Sequence, residues 1–387
     1  MSERTAHVIT PPLRVLYVDT AVQSAGGQVS LVETLRLLDP SKVVPIVCSP
    51  AAGGLRSYCA DSGIRWIPLA FSSTHLSPEG RQRPGRLGGV AQSTYGLACL
   101  VASMRRAGAD IVHANSFKAG LACAIASRIA RKPMVFHDRT LGGHMPLGLV
   151  VGSAARRIIA VSVAVTAKYG GRFAGKMRVI PDGIDTDRFH ATRTGTCSPG
   201  SVAYLGRISR EKGLLHLARC APSVLERVPG VRFLIGGVPL TAAGEAYLKS
   251  VRAEIECLGV SGAFTFAGQV DDARAFLSEA EMLALPSEQE GLGIVMLESM
   301  ALGRPVVAFA SGGPQEVIST GRDGLLVPPG DVQGLADAIV ALLTDPGLRR
   351  GMGEAARRKV VDRFSSAAAT ARLTEVYLEI CPAGRSA

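Results

Sequence analysis

The stretch Leu285-Pro-Ser-Glu-Gln-Glu290-Gly-Leu-Gly-Ile-Val-Met-Leu-Glu298 organises the reading of this chain. Met282–Leu285 is an apolar run of strand length, the residues after it are polar and glycine-rich, and Gly293–Leu302 is apolar at helical spacing. The segment therefore reads as strand, loop and helix. Small loop residues let a ligand approach the backbone, and the free N–H groups and dipole at the helix start favour a phosphate there. Glu298 falls more than one turn inside the helix, where a carboxylate can accept hydrogen bonds from vicinal hydroxyls such as those of a ribose. Glu290, in the loop, is placed to reach a sugar. Two glutamates at this spacing would alone be an ordinary surface residue and an ordinary helix residue; the glycine-flanked context favours a site.

A second segment repeats the pattern: Ala203-Tyr-Leu-Gly206-Arg207-Ile-Ser-Arg-Glu-Lys212-Gly213 runs from a strand into a glycine loop ahead of a helix. Arg207 and Lys212 would set two cations beside a diphosphate, one as a planar fork and one as a point charge. The plainer alternative is a solvated turn with ion pairs to Glu211.

Working outward, short β-rich runs alternate with helical patterns on both sides. In the first half the sequence predicts strands near 13–18, 43–48, 64–68, 110–114, 133–137, 157–161 and 177–180, and helices near 28–38, 87–106, 117–130 and 162–169. A Ser-, Pro-, Gly- and Arg-rich stretch, 71–89, reads as a long loop. The alternation restarts at Val202, after a polar stretch at 185–200 suited to a linker. Such alternation predicts parallel sheets with right-handed crossovers. The chain of 387 residues thus divides into 1–190, 191–364 and a closing helix with tail, 365–387. Two doubly wound α/β domains imply a cleft between them, with ligands bound beyond the carboxyl ends of strands.

Composition narrows the function. Eight scattered cysteines without a C-x-x-C pair fit neither a zinc cage nor a disulfide framework, and imply a reducing compartment. No secretory signal is legible, and the longest apolar stretch, Leu147 to Ala167, carries Arg156-Arg157 at its centre, which a membrane span would not tolerate. The net charge of +11 lies in the first half, where 23 Lys+Arg face 11 Asp+Glu across residues 1–190. That excess can face anionic lipid, an anionic acceptor or solvent. Aromatic residues are too few for a nucleic-acid stacking platform, so no nucleic-acid partner is expected.

The two glycine loops, together with Ser311-Gly-Gly-Pro-Gln-Glu316-Val, Gly321-Arg-Asp-Gly324 and Val179-Ile-Pro-Asp-Gly183-Ile-Asp185, resemble the corresponding parts of glycosyltransferase family 4. The resemblance spans nearly all of residues 13–380, and its most specific element is the E-x7-E pair, Glu290 and Glu298. It implies the GT-B fold, two facing Rossmann-like doubly wound domains with an interdomain cleft and a final helix crossing back to the first. It also implies a retaining hexosyl transfer from a nucleoside diphosphate sugar as co-substrate, with no metal and no other cofactor.

By that similarity Glu298 would hold the ribose, Glu290 the donor sugar, and Arg207 and Lys212 the diphosphate, with the backbone of Gly291, Leu292, Gly293 and Ile294 beside them. Gly206 opens the first of these loops. In the N-terminal domain Gly26 and Gly27 resemble the family's glycine loop, and His137 stands where the family has an active-site histidine. Asp138 and Arg139 would lie on the acceptor side. His113 also ends a strand and reads as a structural residue. Two departures are visible, Asp182 where the family often has Asn and Gln315 where it often has Glu. Asp185-Thr-Asp187 matches the metal-binding D-x-D in form, but lies in the junction and reads as structural.

The expected acceptor is a hydroxyl on a carbohydrate, a lipid-linked glycan or a small molecule, in cell-envelope glycan or glycolipid synthesis or, alternatively, on a natural product. A non-catalytic sugar-nucleotide-binding protein and a sugar-nucleotide epimerase are the other readings. The expected location is the cytoplasm, with peripheral association at the inner face of an anionic membrane; Arg81, Arg83, Arg86, Arg105 and Arg106 cluster where acceptor contacts are expected.

Overall fold

The computed structural model describes residues 11–22, 26–69, 86–142, 145–190 and 197–381. The readings placed on 71–85 (the long loop with Arg81 and Arg83), on Ser24 and Ala25, on 191–196 of the linker and on the terminal tail lie outside those residues.

Seven strands form the first sheet: β1 (Leu13–Val18), β2 (Val43–Ser49), β3 (Arg65–Pro68), β4 (Ile111–Ala114), β5 (Met134–Asp138), β6 (Arg157–Ala160) and β7 (Met177–Val179). Six form the second: β8 (Ser201–Leu205), β9 (Arg232–Gly236), β10 (Phe264–Gly268), β11 (Met282–Leu285), β12 (Val306–Phe309) and β13 (Leu325–Val327). The orders are β3-β2-β1-β4-β5-β6-β7 and β10-β9-β8-β11-β12-β13, with parallel pairing throughout. Both sheets reverse their direction of growth beside their first strand, and loops diverge at that point to leave a crevice. The two decisive segments follow β8 and β11, the strands flanking the crevice of the second sheet. Their apolar runs are buried on both faces, as parallel strands between helix layers must be.

Three helices escape the sequence pattern. Gly54–Asp61 begins on glycine and is mostly polar, so it carries little periodicity. Met145–Ala154 lies in a run that is apolar nearly all round, which hides the helical repeat. Gly313–Val317 has proline in its first turn, a position where proline starts a helix rather than stopping one. Residues 87–89, where the loop and helix readings overlapped, belong to the helix Arg86–Arg106, which starts one residue before its expected position.

The last helix, Ser366–Ile380, packs on the first domain. Leu373, Val376 and Tyr377 join Val15, Tyr17 and Ile111 in one buried cluster. Tyr377 is fully buried; its hydroxyl donates to the Tyr17 hydroxyl at 3.1 Å and lies 2.8 Å from His113 Nδ1. Burial, with the Arg139 guanidinium nearby, pushes His113 down to about 3, so it stays neutral and structural.

The second domain is tied to the first in two further places. Glu316 accepts from the Val163 and Ala164 amides at 2.8 and 2.7 Å, and Ile184 bridges Ser365 by backbone hydrogen bonds. Val161, Val165 and Phe189 complete a core shared with Leu292 and Met296.

Replacing Tyr377 by phenylalanine should leave His113 and the Tyr17 hydroxyl short of a partner in a dry core. The expected cost is about 1–3 kcal/mol, read as a lower urea midpoint; an unchanged midpoint would remove this contact as the anchor of the crossing helix.

Candidate active site

A cavity of about 670 Å³ opens between the domains, with walls from both. The second domain supplies Gly206, Arg207, Lys212, Glu290, Leu292, Gly293, Ile294 and Glu298, and the first supplies Gly26, Gly27 and Arg139. Residues 272 positions apart in sequence, Gly26 and Glu298, are thus brought to one ligand-sized space.

Its shape depends on backbone lying against backbone. Gly213 holds φ +68°, and a Cβ there would overlap the Pro286 carbonyl oxygen, so the loop after β8 presses directly on the loop after β11. Gly291 does not line the cavity: a Cβ on it would overlap the Arg139 carbonyl oxygen, making it a point of close approach between domains rather than a ligand contact. At Gly26 a Cβ would stand 3.2 Å from Ile294 Cδ1, so the glycine loop of the first domain meets the start of the helix Ile294–Ala301.

Two cations of the site are each paired with a carboxylate. Lys212 Nζ donates to Glu290 Oε2 at 2.7 Å, and Arg207 Nη2 donates to Glu211 Oε1 at 2.6 Å. The Arg207–Glu211 pair is exposed on both sides and therefore weak, whereas the Lys212–Glu290 pair is largely enclosed.

Glu298 is buried, 7% exposed, and makes no hydrogen bond among the described residues. Burial pushes its carboxyl up to about 7, with Arg188 opposing and Asp272 reinforcing the shift. A carboxyl without a side-chain partner at the cavity wall is placed to accept hydroxyl donors.

The wall from the first domain rests on a network the sequence did not disclose. Asn115, after β4, donates to Asp19 Oδ2 at 2.7 Å and to the Gly27 carbonyl at 3.1 Å, and Gln28 donates to Asp19 Oδ1 at 3.2 Å. Arg139 joins it from β5: Nη1 donates to the Asn115 carbonyl and Oδ1 at 2.9 and 3.0 Å, and Nε and Nη2 both engage Asp182. The signal available was position, since Asp19, Asn115 and Arg139 each follow the carboxyl end of a parallel strand. Asp182, the departure from asparagine, thus supplies a full charge to the Arg139 fork.

His137 and Asp138 are placed differently from expectation. His137 is buried and does not line the large cavity; Nδ1 faces Arg139 Nη2 at 3.2 Å, and the ring borders a 20 Å³ hollow beside Ser30, Asp182 and Ser366. Burial, then Arg139 and His113, hold it well below the usual histidine range. Asp138 points away from the cavity altogether. It accepts from Tyr169 at 2.5 Å and Lys168 at 2.6 Å, because strand alternation turns it to the face opposite its neighbours. The acceptor-side reading of Asp138 is therefore corrected to a structural one.

Two further loops reach the cavity, Gly237-Val238 after β9 and Gln269-Val270-Asp271 after β10, together with Arg188 from the junction. The glycine pair Gly236-Gly237 was the legible hint: a Cβ at Gly237, φ +123°, would overlap the Gly206 carbonyl. Asp185 is occupied by a turn, accepting from the Asp187 and Arg188 amides at 3.0 Å and pairing with Arg36.

Glu298 has a measurable signature. A carboxyl raised in the native state binds its proton more tightly folded than unfolded, so its contribution to stability falls as pH rises from about 4.5 to about 7. Between those limits Glu298→Gln should gain on the parent by up to roughly 3 kcal/mol, seen in denaturant midpoints at pH 4.5 and pH 8. A pH-independent difference would contradict the buried carboxyl.

Comparison with known proteins agrees with this geometry. Residues 25–188 match the family described as Glycosyltransferase Family 4, and residues 199–345 that described as Glycosyl transferases group 1. Glycogen synthase of Mycobacterium tuberculosis is 30% identical over 293 residues, covering 70% of this chain and 68% of the relative. The GDP-mannose-dependent alpha-(1-6)-phosphatidylinositol monomannoside mannosyltransferase of the same organism is 30% identical over 245 residues, covering 58% and 62%. In structure, Anabaena Alr3699/HepE in complex with UDP-glucose superposes with a TM-score of 0.81 at 24% identity, covering 95% of this chain and 100% of that one. The chain belongs to glycosyltransferase family 4, and its two Rossmann-like domains closing on a shared cleft are the GT-B fold.

Proposed function

We propose that this glycosyltransferase moves a hexose from a nucleoside diphosphate sugar to a hydroxyl acceptor with retention of anomeric configuration and without a metal ion. The observation that carries the reading is that Arg207, Lys212 and Glu298, from separate loops, line one cavity with the glycine loop of the opposite domain. In this reading Glu298 receives the ribose hydroxyls, and Arg207 and Lys212 neutralise the departing diphosphate. Positioned cations of this kind are electrostatic catalysis. Glu290, released from Lys212 by the diphosphate, turns to the donor sugar.

Arg139 holds the N-terminal wall against the sugar, and His137 orders Arg139 from behind. With Glu290 turned to the hydroxyls of the donor sugar and Glu298 at the ribose, the reading assigns no carboxylate to attack the anomeric carbon. Departure and attack then share one face of the sugar, the leaving phosphate taking the acceptor's proton. The acceptor is proposed to be a glycolipid or lipid-linked envelope glycan. Relatives named for glycogen and for a phosphatidylinositol mannoside are equally similar in sequence, so sequence similarity does not select it.

A thermal-shift panel of UDP-, GDP- and ADP-sugars tests the donor. The matching donor at a hundred times its dissociation constant should add about 2.7 kcal/mol, and a panel without any shift would refute donor binding. Lys212→Ala should lower donor turnover roughly 100- to 1000-fold, followed as nucleotide release. Product of inverted configuration, or a trapped glycosyl adduct on a carboxylate, would refute the single-face mechanism.

A further inference from the structure

Among the described residues, one face of the N-terminal domain has no partner. The adjoining helices Arg86–Arg106, Phe117–Ala130 and Met145–Ala154 cover one side of the first sheet, and their inner stripes, including Leu100, Met104, Cys123 and Val151, build its core. The helix Gly26–Leu37 and the final helix lie on the other side. The outer stripes of the three helices are not polar. Tyr95 is 66% exposed, Ile125 54%, Ile129 49%, Leu147 42% and Val150 54%. Ile125 and Ile129 stand one turn apart on the same stripe, where a helix over a core normally presents polar residues.

The charge on this face is of one sign. None of the three helices contains an Asp or Glu. Between Arg86 and Arg178 the acidic residues are Asp110 and Asp138, and both are engaged: Asp138 is buried on Tyr169 and Lys168, and Asp110 accepts from the Arg14 amide at 2.8 Å. Arg105, Lys118, Arg128 and Arg131 are exposed around the apolar residues.

We propose that this three-helix face docks the protein onto an anionic lipid bilayer. Apolar side chains enter the interfacial region while the surrounding cations, on long apolar stems, reach headgroup phosphates. A second copy of the chain is disfavoured as occupant, since a two-fold contact would set these cations against each other without any acid to relieve them. The helix Phe117–Ala130 starts at the carboxyl end of β4, beside the cleft, so docking here holds the cavity at the membrane. The proposal deepens the lipid-acceptor reading by naming the surface involved, and its readout needs no catalysis.

The test is sedimentation of the full chain with vesicles of phosphatidylcholine alone or mixed with phosphatidylglycerol. The protein should sediment with the mixed vesicles at low salt, not with the neutral ones, and be released as salt rises. Ile125→Glu with Ile129→Glu should weaken binding at least about tenfold, and Lys118→Ser with Arg128→Ser should flatten the salt dependence. Both variants should keep the donor-induced thermal shift of the parent, which shows them folded. The proposal falls if the parent stays in the supernatant with both vesicle types, or if the isoleucine variant sediments like the parent. It falls equally if the parent is a dimer in gel filtration that this variant dissolves. Loss of the donor shift in the parent would instead count against the transferase reading and leave the docking result intact.

Discussion

The site exists because loops meet backbone to backbone, within the second domain and, at Gly291, between the domains. At Gly213, Gly291, Gly312 and Gly313 the nearest neighbour of an added Cβ is a main-chain atom of another loop, too close to give way. Those contacts press the loop after β8 onto the loop after β11, and the loop after β11 onto β5 and the segment before Gly313–Val317. A side chain at any of them would prise the walls apart and turn one cavity into two surfaces. Glycine costs conformational entropy at each position, and the return is close approach to a ligand from several directions.

Around that frame the charges of the site avoid burial without compensation. Lys212 rests on Glu290, Arg139 on Asp182, and Lys168 on Asp138, each with low exposure of the acid. Glu298, with no such partner, meets the same demand by holding its proton to higher pH. In the proposed function a diphosphate would bring negative charge to the cations and a ribose would bring hydroxyl donors to the carboxyl, as a preorganised electrostatic site requires.

The N-terminal domain is asymmetric. One side of its sheet is sealed by the crossing helix, whose Tyr377 hydroxyl satisfies two buried groups on β1 and β4. The other side ends in helices with apolar and basic outer stripes and no acid. The charge excess in the first half of the sequence thus has a face of its own, and the second domain is nearly neutral.

The alternation of short apolar runs with helical segments determined the fold by itself, because parallel strands buried on both faces and amphipathic helices have different periods. The glycine loops and their charged residues, Arg207, Lys212, Glu290 and Glu298, were legible for a related reason: they sit within a few residues of a strand end, and the local chemistry of a phosphate site is written locally. What only the tertiary structure decided depends on which groups meet across the chain. The Asp19–Asn115–Arg139–Asp182 network joins four strand ends far apart in sequence; Asp138 turns away from the cavity because strand alternation sets it opposite His137, and His137 is covered by Arg139 and Asp182. Gly291 touches Arg139 because the domains close at that point. Such pairings are set by packing between elements, and the order of residues along one element carries no record of them.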